Sequence, residues 1–120
     1  MKVLLADPKS NIRYGLTVLL GEQPDLEIVG ETDDSGVLLA QVKATSPDLL
    51  LLSWDLPGMK VSELLGQIRI LCPKLSIIAL SGKSNNRELA LQSGADDFIC
   101  KGDSPEKLLA SIRQIQNQNT

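Results

Sequence analysis

The chain has 120 residues, enough for one domain with one hydrophobic core. Apolar residues make up 42% and charged residues 22%, which excludes a disordered polymer. The net charge is −3 and the twelve lysines and arginines are scattered, so nucleic acid and anionic membranes are not expected as direct partners. There is no histidine, and the two cysteines, Cys72 and Cys100, lie far apart. That removes CxxC redox chemistry, zinc sites of the usual spacing and any Ser-His or Cys-His nucleophile pair. Both cysteines stand in apolar surroundings and are expected as buried reduced thiols, which suit the cytoplasm. No stretch is apolar enough over a bilayer's width, and Met1 to Ala6 lacks the cationic flank and cleavage site of a signal peptide.

Short apolar runs alternate with longer amphipathic ones. Lys2 to Ala6 reads as a buried strand stopped by Asp7-Pro8. Ser10 to Leu20 reads as a helix with Ile12, Leu16, Leu19 and Leu20 on one face and Gly21 as its stop. Leu26 to Gly30 is a second strand. Asp34 and Ser35 are placed to cap a second helix carrying Val37, Leu38 and Val42. Asp48 to Ser53 holds four consecutive leucines, a pattern for a strand covered on both faces. After the loop Leu56-Pro57-Gly58, a third helix carries Leu64, Leu65, Ile68 and Leu71 and ends by Pro73. Leu75 to Leu80 is a fourth strand, Ser84 to Gln92 a short helix, and Phe98 to Cys100 the end of a fifth strand. Ser104-Pro105-Glu106 starts a last helix with Leu108, Leu109, Ile112 and Ile115. Gln116 to Thr120 is a polar tail or the start of a linker.

Five strands alternating with five helices make an α/β domain: a parallel sheet with helices on both faces, spanning residues 1–120. Such sheets work at the carboxyl ends of their strands. The positions to inspect are therefore Asp7, the Ser53 to Pro57 segment, Ser81-Gly82 and Lys101.

Those positions carry a family resemblance. VLLADPKSNIRYGLTVLL at the first strand, PDLLLLSWDLPGM around the third, IIALSG at the fourth and GADDFICKGDSPEKLLASI at the end resemble a response-regulator receiver domain. The match covers essentially the whole chain and is nearest to the CheY-like domains of NarL/LuxR-type regulators. It implies a doubly wound, flavodoxin/CheY-like sheet of strand order 2-1-3-4-5. Intact members hold magnesium with clustered carboxylates and accept a phosphoryl group on an aspartate after the third strand. A hydroxyl residue and a lysine contact that phosphate.

Carried over position by position, the resemblance is incomplete. Asp7 matches the first of two paired acids, and Pro8 stands in place of the second. Ser53 stands at the acceptor position. Asp55 lies two residues on, where a backbone carbonyl faces the metal in intact members. Ser81 matches the switch hydroxyl, Lys101 the lysine and Phe98 the aromatic that changes rotamer. Ser53 is a weak nucleophile without an adjacent base. Pro8 removes a hard oxygen ligand, so magnesium, held at most through Asp7 and Asp55, is expected to bind weakly or not at all. Asp7 and Lys101 are expected to neutralise each other, with Ser53 supplying a hydrogen bond. Trp54 is expected as a half-exposed neighbour.

The expectation is a pseudo-receiver in two-component signalling and transcription regulation. It has no catalytic residue and no cofactor. It is expected to meet a protein partner or a second copy through the fourth helix, fifth strand and fifth helix, with a DNA-binding module as the candidate downstream domain of a longer gene product. The rivals are an active phosphorelay receiver using Asp55 as acceptor, and a small-ligand module using the same crevice.

Overall fold

The computed structural model describes residues 1–118. Strands β1 (Lys2–Ala6), β2 (Glu27–Thr32), β3 (Leu49–Ser53), β4 (Ser76–Ser81) and β5 (Asp97–Cys100) alternate with helices α1 (Ser10–Gly21), α2 (Ser35–Thr45), α3 (Val61–Leu71), α4 (Arg87–Gln92) and α5 (Pro105–Gln118). Every strand pair is parallel, and the order across the sheet is β2-β1-β3-β4-β5. This is the doubly wound sheet that the alternation of elements and the resemblance imply. Val29 of β2 is an extra residue, since Val3 pairs with Ile28 and Leu4 with Gly30.

The leucine run of β3 explains the two-layered core. Successive strand side chains point to opposite faces. Leu49 and Leu51 pack with Leu20 of α1 and Leu108 and Ile112 of α5. Leu50 and Leu52 pack with Leu38 of α2 and Leu64, Leu65 and Ile68 of α3. All four leucines are fully shielded from solvent. A parallel strand with helices on both sides has no solvent face, so it needs no polar alternation.

Several boundaries differ from the sequence reading. The segment Ser84 to Gln92 is a 3-10 turn, Ser84–Asn86, followed by α4, because Asn86 N–H bonds back to the Lys83 carbonyl. Gly21 is the last residue of α1 rather than a stop beyond it. Val37 and Leu71 do not join the core: α2 turns Leu38 and Val42 inward and leaves Val37 outside, and Leu71, the last residue of α3, is exposed. Asp34 caps α2 by accepting from Gly36 N–H, whereas Ser35 is the first helical residue and bonds elsewhere. Both cysteines are free but only half-buried, at the margin of the core instead of inside it.

The polar tail also needs correction, since α5 runs on to Gln118; residues 119–120 lie outside the described residues. The continuation is anchored. Gln116 Nε2 lies 2.9 Å and Arg113 Nη1 2.6 Å from Asp25 Oδ2. Gln116 first and Arg113 second hold the Asp25 carboxyl below its ordinary 3.8. A carboxyl depressed in the folded state stabilises the fold above its ordinary value, and that contribution disappears as the pH falls through the lowered value. Asp25→Asn should therefore lower the melting temperature at neutral pH, and the difference from the parent should vanish well below pH 3.8. In the core, Leu50→Ala should destabilise by about 2–5 kcal/mol in urea unfolding, because its cavity opens in a layer closed on all sides.

Candidate functional site

The site is assembled where the strands end. The ladder runs one residue past β1, with Asp7 N–H donating to the Thr32 carbonyl at 3.0 Å, and this fixes the Asp7 backbone. Its side chain is 1% exposed. Asp7 Oδ1 accepts from Lys9 N–H at 2.9 Å, the local turn that an aspartate makes before a helix. Arg13 on α1 donates to the Asp7 carbonyl at 2.7 Å and pairs with Glu31 of β2 at 2.9 Å.

Across the sheet, the ladder similarly runs past β5: Lys101 N–H donates to the Ser81 carbonyl at 2.8 Å. From there the lysine reaches back over the sheet. Its Nζ lies 2.9 Å from Asp7 Oδ2 and 2.9 Å from Ser53 Oγ. The contact with Asp7 is ionic and not aligned as a hydrogen bond, so Asp7 Oδ2 has charge compensation without a directed donor. Ser53 is fully buried, and its Oγ also accepts from Asp55 N–H at 3.2 Å.

Asp55 lies at the rim. Its side chain is exposed, with Oδ2 3.8 Å from Lys101 Nζ. Trp54 is half-buried against the core, with its N–H on the Leu80 carbonyl at 2.7 Å. The loop that follows is pinned by Ser35, whose Oγ accepts from Met59 N–H at 2.8 Å. Gly58 sits there at φ +104, and a Cβ would run into that same Ser35 hydroxyl.

Ser81 is fully buried, and its Oγ accepts from Lys83 N–H at 3.1 Å and Asn86 Nδ2 at 3.0 Å. Its hydroxyl is not among the partners of the Lys101 ammonium, which are Asp7, Ser53 and Asp55. Phe98 is fully buried. The Arg87 guanidinium lies 5.1 Å from its ring centre, and Arg87 Nη2 donates to the Phe98 carbonyl.

Asp7, Ser53, Asp55 and Lys101 are thus brought together, while Ser81 and Phe98 lie on the α4 side with partners of their own. Arg13, Asn86 and Arg87 were not singled out from sequence. Each acts through one long or polar side chain reaching across a helix-to-strand junction, and nothing in the local pattern marks such a reach.

Magnesium asks for several hard oxygens in tight octahedral geometry. Here the one buried carboxylate already faces an ammonium. Position 8 is a proline, position 53 a hydroxyl, and the exposed Asp55 shares the same lysine. Among the described residues, no three Asp, Glu, Cys or His side chains gather as metal ligands. The donor set does not fit a magnesium ion.

A doubly wound sheet with an acid, a hydroxyl and a lysine at the ends of β1, β4 and β5 defines a receiver domain. Residues 3–113 match the family model of the response regulator receiver domain, and the chain belongs to that family. It is 31% identical over 114 residues to the nitrate/nitrite response regulator protein NarL of Escherichia coli (strain K12), covering 93% of this chain and 53% of that protein. The chain thus spans about half the length of that relative. The signal receiver domain of the putative response regulator NarL from Mycobacterium tuberculosis superposes with a TM-score of 0.86 at 25% identity, covering 95% of this chain and 94% of that one. RcsB from Salmonella enterica serovar Typhimurium, bound to promoter rprA in the presence of phosphomimetic BeF3−, superposes with a TM-score of 0.89 at 25% identity, covering 98% of this chain and 62% of that one.

A buried ion pair is costly to break, because the remaining charge is left without its partner. Lys101→Met should destabilise by about 3–5 kcal/mol. Adding Asp7→Asn to that variant should recover a large part of the loss, read as the coupling energy of a double-mutant cycle in urea.

Proposed function

We propose that this chain is a signal-transduction receiver that works without phosphorylation, as a binding module and not as an enzyme. The observation that carries the reading is Lys101 Nζ, 2.9 Å from both Asp7 Oδ2 and Ser53 Oγ. An intact site gathers carboxylates whose excess negative charge calls for a divalent cation. Here the ammonium compensates the buried carboxylate directly, and no magnesium is needed. The Ser53 oxygen accepts from Lys101 and from Asp55 N–H, and among the described residues no base accepts a hydrogen bond from it, which makes it a poor nucleophile. Asp55 points to the rim, which does not favour it as a displaced acceptor.

The output is contact with a protein partner through α4, β5 and α5. Leu89 and Leu91 are exposed on α4, and Arg87 clasps Phe98 beneath them, which favours one fixed shape of that face. In a longer protein a DNA-binding module follows, serving transcription regulation, as the length of the relatives suggests. Residues 1–120 themselves, with net charge −3 and no basic run, bind neither nucleic acid nor membrane. No helix among the described residues is long and apolar enough to cross a membrane. Free thiols and the family's signalling role support a cytoplasmic setting.

The test is intact mass after treatment with magnesium and a small phosphodonor, where no added phosphate is expected. A hydroxylamine-labile phosphate on Asp55, or an acid-stable one on Ser53, overturns the reading. A rescue gives the converse. Ser53→Asp alone and Pro8→Asp alone should stay unlabelled, the first lacking a metal ligand and the second an acceptor. The double variant should take up label. Without metal it should be less stable than the parent by about 1–3 kcal/mol, because clustered carboxylates repel one another. Magnesium should return part of that loss, read as a rise in melting temperature.

A further inference from the structure

We infer that the amino-terminal end of the sheet carries a docking groove for an acidic segment of a partner protein. This surface lies at the opposite end of the strands from the Lys101 crevice, and it does not rest on the loss of phosphorylation. Helices α2 and α3 both end there, beside the residues that lead into β3 and β4. Between them opens a groove of about 540 Å³. The buried Val42 and Leu75 give it an apolar floor, and Pro47, Cys72 and Pro73 extend its apolar lining. The apolar surface continues past the groove. Directly before Cys72 in the chain, Ile70 is 83% and Leu71 41% exposed. The core side of α3 is already supplied by Leu64, Leu65 and Ile68, so Ile70 adds nothing to the fold. Apolar residues grouped in the open beside a concave surface mark a contact site, whereas single scattered ones do not.

Charge selects the occupant. Lys43 and Lys74 line the groove and are exposed, and neither has an ion-pair partner among the described residues. Lys43 suits the C-terminus of α2, but Lys74, beyond Pro73, belongs to no helix. Asp48, the one acid among the described residues that line the groove, is already engaged, accepting Lys2 N–H at 2.8 Å. An acidic protein of net charge −3 thus presents a positive rim around an apolar floor. A charged rim around an apolar centre is the make-up of a protein contact, and its sign favours a negatively charged partner. Ser46 adds a polar group. It ends α2 at φ +46, a left-handed conformation more usual for glycine, and its hydroxyl has no partner among the described residues. A peptide with an apolar anchor between Asp or Glu side chains matches all three features. The anchor meets Val42 and Leu75, the carboxylates meet the two ammoniums, and the peptide backbone meets Ser46.

Selection of random short peptides displayed on phage against the immobilised full chain tests this, followed by titration of the winners as synthetic peptides. The winners should combine an apolar anchor with several Asp or Glu. They should slow alkylation of Cys72, which lines the groove, and leave Cys100, at the far end of β5, unaffected. Reversing both charges, Lys43→Glu with Lys74→Glu, should raise the dissociation constant on the order of tenfold. Ile70→Asp should weaken the same peptides. All three side chains are exposed, so circular dichroism and melting of the variants should match the parent. A selection without winners, or with basic ones, overturns the proposal, as does acidic binding that reversal of both lysines leaves unmoved. Binding that spares Cys72 and is lost in Leu89→Glu places the contact on α4 and overturns it equally. A parent that dimerises in sedimentation equilibrium and becomes monomeric in Ile70→Asp puts a second copy on the groove, which overturns the acidic partner.

Discussion

An ammonium held between a buried carboxylate and a buried hydroxyl is the constraint around which the carboxyl end of this sheet is arranged. Lys101 brings β5 to β1 and β3, two elements that its own backbone does not touch. Each group needs the others. Asp7 is almost wholly out of water, and a carboxylate in that position must find a counter-charge. The family's usual solution brings the counter-charge from outside as a divalent cation. In this chain it arrives on a side chain, and the proposed independence from phosphate rests on that difference in where the positive charge comes from.

The surrounding framework holds the shape of the site largely through backbone bonds. Asp7 and Lys101 are both held by ladder bonds that continue one residue past the strands, to Thr32 and to Ser81. These bonds use backbone atoms, so they do not depend on the identity of residue 8 or residue 53. The β3–α3 loop is likewise tied down by Ser35 and by the fit at Gly58. In the proposed reading, the residues at positions 8 and 53 therefore change the chemistry of the crevice without removing the parts that position it.

How much was legible in the sequence divides along physical lines. The strands and their order were legible because a buried parallel strand leaves a dense apolar run, as in LLLL, and because four weak motifs fell in sequence at strand ends. The pairing of Asp7 with Lys101 was legible only through the resemblance, which set the two residues in one crevice and left one acid facing one ammonium there. Helix ends were less so. Val37 and Leu71 read as core residues because an apolar pattern does not say which of its members a helix turns inward or where its buried face ends. The tail read as polar and loose, yet Gln116 is held by Asp25, more than ninety residues earlier in the chain, a contact that no local pattern announces. Arg13 and Arg87 escaped notice for the same reason: long side chains act at a distance from their place in the sequence.

The four leucines of β3 have one more consequence. In most strands alternation fixes the register, because a slip of one residue would turn apolar side chains outward. Here a slip would merely exchange Leu49 and Leu51 for Leu50 and Leu52, and both faces would remain leucine. Register must come from the two ends. At one end, Asp48 accepts Lys2 N–H through its side chain and donates its own N–H to the Lys2 carbonyl. At the other, a slipped Ser53 would lose the Lys101 ammonium and leave a hydroxyl buried without its donor. The polar residues bracketing the run thus index the central strand of the sheet, and the hydroxyl at position 53 has a part in folding that is independent of any part in signalling.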